Sequence, residues 1–112
     1  MYDLENLLNL HGETFPMDNG YWVKFEVIKV EVSKKIPHGV KYSLTLHNKH
    51  NKRVIGYDNA HSFKSKKKYG ATKETYDHIH KQTDIVAYEF ESASQLIEDF
   101  WKSTEYYMEN NK

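Results

Sequence analysis

Apolar and polar residues alternate with a period of two through Val40, Tyr42, Leu44 and Leu46, and again through Ile55 and Tyr57. Two such runs, separated by the short polar stretch His47 to Lys52, predict an antiparallel hairpin with one buried face. The pairing then has one solution. Burying both apolar sets together requires Leu46 opposite Ile55 and Leu44 opposite Tyr57, because a slip of one residue turns one strand inside out. That register sets Ser43 opposite Asp58 and leaves Lys41, His47 and Asp58 on the face away from the core.

The flanking segments extend this frame. Asp3 to Leu10 carries Leu4, Leu7 and Leu8 at helical spacing, with Asp3 as a candidate cap. Gly12, Pro16 and Asp18-Asn19-Gly20 mark turns. From Tyr21 to Val32, Val23, Phe25 and Val27 alternate and Ile28, Val30 and Val32 continue in the other phase. A β-bulge near Val27-Ile28 would keep both sets inward. Residues 62–75 read as a mobile loop, whereas Tyr76 to His80 and Ile85 to Phe90 read as strands. Ser92-Ala93-Ser94-Gln95 opens a capping box, followed by the stripe Leu96, Ile97, Phe100, Trp101, Thr104 and Met108. The expected fold is α+β: an antiparallel sheet of about five strands, a short N-terminal helix, and a C-terminal amphipathic helix packed on one face. At 112 residues the chain is one domain, 1–112.

The absence of cysteine excludes disulfides, thiol catalysis and cysteine-bound metal, and suits a cytoplasmic protein. No run approaches the ~20 apolar residues of a membrane span, and the N-terminus lacks a secretory pattern. The net charge of zero conceals three blocks. Residues 33–81 hold twelve Lys and Arg against three Asp and Glu, a net of +9, and six of the seven histidines; the segments before and after carry −4 and −5. A basic, histidine-rich centre between acidic ends predicts an RNA-binding face.

Cleavage of RNA by its own 2′-hydroxyl needs a base, an acid and a cation on the phosphate. Histidine can serve as either of the first two near neutral pH. His61, His78 and His80 are the candidates, with Asp58 orienting a ring and His47 on the same face. Lys41, Arg53 and Lys81 could hold the phosphate. Lys66, Lys67 and Lys68 form a basic run beside Tyr69, which could stack on a base. The expected chemistry needs no metal or other cofactor. An alternative is metal-dependent hydrolysis, with His78 and His80 as same-side ligands and His61 or Asp58 as the third. Another is a non-catalytic protein that blocks an RNA or protein target through its basic face.

Several phrases together resemble a known bacterial family: Asn19-Gly20-Tyr21-Trp22-Val23-Lys24-Phe25, Pro37-His38-Gly39-Val40-Lys41-Tyr42, Gly56-Tyr57-Asp58-Asn59-Ala60-His61, Tyr76-Asp77-His78-Ile79-His80 and Glu98-Asp99-Phe100-Trp101. The chain is similar over nearly its whole length to the TumE family of toxin–antitoxin toxins. The resemblance implies a cytoplasmic toxin neutralised by a cognate helix-turn-helix antitoxin, and leaves a homodimer open. Its polar motifs match His47, Asp58, Asn59, His61, Asp77, His78 and His80.

Overall fold

The computed structural model describes residues 2–59, 63–66, 72–75, 77–81 and 84–111, with only the backbone at 2–3, 63–66 and 72–75. His61, Lys67 and Lys68 lie outside the described residues, as does the side chain of Lys66.

In chain order the elements are α1 (Tyr2–Leu8), β1 (Thr14–Pro16), β2 (Trp22–Lys29), β3 (Val40–His47), β4 (Arg53–Asp58), β5 (Phe63–Lys66), β6 (Thr72–Thr75), β7 (His78–Lys81), β8 (Asp84–Ala87) and α2 (Ala93–Asn110). Six strands form one antiparallel sheet in the order β1-β2-β3-β4-β7-β8, and β5 pairs with β6 as a separate two-stranded sheet. The segment expected as a mobile loop therefore contains a hairpin of two four-residue strands. Among the described residues no helix is long and apolar enough to cross a membrane.

The predicted register holds: Leu46 faces Ile55, Leu44 faces Tyr57 and Ser43 faces Asp58. A tight turn sets it. The Asn48 side chain accepts hydrogen bonds from the backbone N–H of His50 and of Lys52 at 2.9 and 3.1 Å, and Asn51 takes the left-handed conformation. His47 pairs with Arg53 while Leu46 pairs with Ile55, so Val54 is an extra residue in β4. This bulge returns Arg53 to the face that carries His47.

The expected bulge in β2 is absent. Its pairing with β3 is regular from Trp22 opposite His47 to Lys29 opposite Val40. Ile28 accordingly points away from the core at 54% exposure, and Val32, beyond the strand, is 71% exposed. A regular ladder satisfies every backbone group, which a bulge would not. The N-terminal helix starts at Tyr2, so Asp3 lies within it and is not its cap.

The sheet's apolar face carries Val23, Phe25, Val27, Val40, Tyr42, Leu44, Leu46, Tyr57 and Ile79, all buried under the stripe Ala93, Leu96 and Phe100 of α2. Phe100 meets Phe25 and Tyr57 edge to face, with centroids 5.5 and 5.8 Å apart. Ser92 caps α2 by accepting the Gln95 N–H at 3.0 Å, while the Gln95 amide turns forward to Asp99. Helix α1 packs against α2 and β2.

Beyond β4, the buried Asn59 side chain replaces a strand residue. Its oxygen accepts the Tyr42 N–H at 2.9 Å and its amide donates to the Val40 carbonyl at 2.8 Å. Asn59→Ala should lose about 3 kcal/mol, since two buried backbone groups are left unpaired, measurable by urea denaturation; a loss under about 0.5 kcal/mol would show that water replaces both bonds.

Candidate active site

The opposite face of the sheet is a grid fixed by strand pairing. One row runs Trp22, His47, Arg53; the next runs Lys24, Thr45, Gly56, His80, Ile85; the third runs Glu26, Ser43, Asp58, His78, Ala87. Side chains two apart on one strand share a face. His78 and His80 therefore project together from β7 beside Asp58 of β4.

Asp58 takes both imidazoles. His78 Nε2 lies 3.0 Å from one carboxylate oxygen and His80 Nε2 lies 3.2 Å from the other. The two rings meet edge to face, with centroids 4.7 Å apart. Exposure divides their roles. The His78 side chain is 5% exposed, that of Asp58 12% and that of His80 19%, so His80 is the more accessible imidazole. The donor atoms of Asp58, His78 and His80 lie within 4.8 Å of one another, a set of two imidazoles and one carboxylate that suits a Zn²⁺-type cation.

Gly56 adds the fourth part. It lies opposite His80, and a Cβ built there would sit 3.3 Å from Arg53 Cδ and 3.5 Å from a guanidinium nitrogen. The missing side chain lets the Arg53 stem lie over the strand and brings its cation toward His80. Burial pushes the His80 imidazole below its ordinary pKa, the nearby Arg53 charge pushes the same way, and Asp58 opposes both. Burial and the neighbouring guanidinium thus both disfavour the charged form of the ring that substrate can reach.

The remaining sequence candidates scatter. His47 lies flat on Trp22, with centroids 4.0 Å apart and planes 11° from parallel, and its Nε2 meets Thr45 Oγ1 at 2.9 Å. Burial is the main cause of its lowered pKa. It shares the polar face but sits outside the carboxylate cluster. Lys41 lies on that face one row beyond Ser43, exposed and opposite Ile28. Lys81 is opposite Ile55, so it projects to the helix side, away from His80. The sequence reading missed Trp22 as a neighbour of His47; the signal that could have found it is that it falls out of phase with Val23, Phe25 and Val27.

Asp77 belongs elsewhere. Its Oδ2 accepts the Tyr42 hydroxyl at 2.7 Å and lies 3.1 Å from His38 Nε2, while the His38 ring stacks on Phe90 at 3.9 Å. Burial, then the Asp77 carboxylate, raises the Tyr42 pKa, which keeps this hydroxyl a donor. The adjacent Asp77 and His78 thus serve two separate clusters, one of which anchors the loop before β3 to the start of β7.

A family model described as Toxin TumE matches residues 9–108, most of the chain. No curated protein matches the sequence significantly, and neither does any solved structure.

The His80 environment has a direct readout. Its proton NMR titration midpoint should fall below about 6.5, the value of an unperturbed imidazole. Arg53→Gln should raise it, because the lowering charge is removed. A midpoint unmoved by that substitution would place the guanidinium too far away to act.

Proposed function

The chain belongs to the TumE toxin family, and we propose that it is the toxin of a toxin–antitoxin pair that acts on RNA as an endoribonuclease, with Asp58, His78, His80 and Arg53 as its reactive centre. The observation that carries this reading is one carboxylate shared by two imidazoles, with a guanidinium alongside on the sheet's polar face.

In this mechanism the RNA phosphate sits against Arg53, with Lys41 and the Lys66 to Lys68 run drawing in the flanking backbone. His80, held neutral, takes the proton of the 2′-hydroxyl as its oxygen attacks the adjacent phosphorus. The P–O5′ bond breaks, leaving a 2′,3′-cyclic phosphate on one fragment. The departing 5′ oxygen takes a proton from an acid, and His61, three residues after Asp58, is our candidate. Asp58 orients His80 and favours its protonated form as the reaction proceeds. His78 is too enclosed to meet substrate; it holds the second oxygen of Asp58 and so fixes where the carboxylate points.

One observation favours a second reading, in which the same cluster holds a divalent cation: three donor atoms of suitable chemistry already converge. Such an ion would neutralise charge on the phosphate and activate water. Chelator separates the two readings.

Purified protein should cut single-stranded RNA in excess EDTA, and His80→Ala should slow cleavage by about 10²- to 10⁴-fold, the usual contribution of a general base, with an unchanged circular dichroism spectrum. Cleavage abolished by EDTA and restored by Zn²⁺ or Mn²⁺ would replace the first reading with the second. RNA that is bound but left intact would overturn both in favour of inhibition by occlusion.

A further inference from the structure

The six-stranded sheet ends in two edges of different character. β1 has three residues, one of them Pro16, which has no N–H to offer an incoming strand. β8 has no such protection. Its four residues, Asp84, Ile85, Val86 and Ala87, are all exposed; Ile85 stands 49% and Val86 43% open, one on each face of the sheet. Beyond its short length and Asp84 it carries none of the usual guards of an edge: no proline, no lysine and no bulge.

The surroundings define what would pair with it. From Asp84 to Asn111 there are seven carboxylates and one cation, Lys102, which is engaged with Glu98 at 2.9 Å. Between β8 and the end of α2 lies a groove of about 340 Å³ lined by Val54, Ile55, Lys81, Asp84, Tyr106 and Tyr107, among others. Glu105 and Glu109 are exposed on the same helix. Phosphate would be repelled here. A second copy docking edge to edge would bring two acidic ends together.

We propose that β8 is the docking edge of the antitoxin, which adds an extended segment as a seventh strand and carries apolar side chains for Ile85 and Val86 and Lys or Arg for the acidic helix. This rests on the toxin–antitoxin reading above. The same pairing explains neutralisation. Ile85 is the register partner of His80, so a strand added to β8 runs roughly 10 Å from β7, two strand spacings away. Chain leaving that strand on the polar face covers His80 and closes the substrate's approach.

The test uses the full-length toxin and the purified product of the adjoining antitoxin reading frame. Amide hydrogen exchange of residues 84–87 should slow on complex formation. Ile85→Lys with Val86→Lys should weaken binding by about a hundredfold, as expected for a central apolar contact. Glu105→Lys with Glu109→Lys, both exposed on α2 and checked for an unchanged circular dichroism spectrum, should weaken it by about tenfold and reduce its salt dependence. A complex of undiminished affinity in both double variants, or one with unchanged β8 exchange, overturns this surface while leaving the antitoxin reading intact. No complex at all overturns that reading and the surface with it, whereas a toxin homodimer that the β8 substitutions dissociate overturns the surface alone.

Discussion

Asp58 is the constraint on which the polar half of this molecule depends. Its carboxylate sits on a sheet face with only 12% of the side chain exposed, where an unpartnered charge would be costly. Two imidazoles on β7 supply partners, and they can do so only because residues 78 and 80 share a face and β7 pairs with β4 in one register. Shifting that register by one residue would turn Ile79 toward Asp58 and both histidines toward the core. Folding the apolar face and building the polar cluster are therefore one event. The aromatic contacts of Phe25, Tyr57 and Phe100 that hold α2 down also hold His78 and His80 up.

How much of this was legible in the sequence depended on how local the determining interactions were. The hairpin from Val40 to Asp58 was legible because its alternation is uninterrupted and a slip exposes a whole apolar set. The cap of α2 was equally local. Ile28 misled because hydrophobicity alone cannot distinguish a residue turned inward by a bulge from one left exposed on a regular strand; the unbroken ladder with β3 decides it. The extra residue Val54, which returns Arg53 to the polar face, has no signature in a run of apolar residues. Gly56 gives no hint from sequence that its role is to make room for an arginine.

The candidate site shows the same division. Asp58, His78 and His80 were legible as a set, since period-two alternation places both histidines on one side of a strand. The same alternation puts Asp77 on the other side from the histidines, but nothing local shows what it meets there. Its actual partners, His38 and Tyr42, lie more than thirty positions away. Lys81 joined the histidines in the charge tally but faces the other side. The zero net charge resolves accordingly into a basic, histidine-rich central segment and an acidic terminal helix.

The termini of cleaved RNA test the central claim most directly. A 5′-labelled single-stranded RNA, incubated with the wild-type protein in excess EDTA and resolved by mass spectrometry, should yield fragments ending in 2′,3′-cyclic phosphate with 5′-hydroxyl partners. Fragments with 3′-hydroxyl and 5′-phosphate ends would contradict the account, because water and not the neighbouring 2′-hydroxyl would then be the nucleophile.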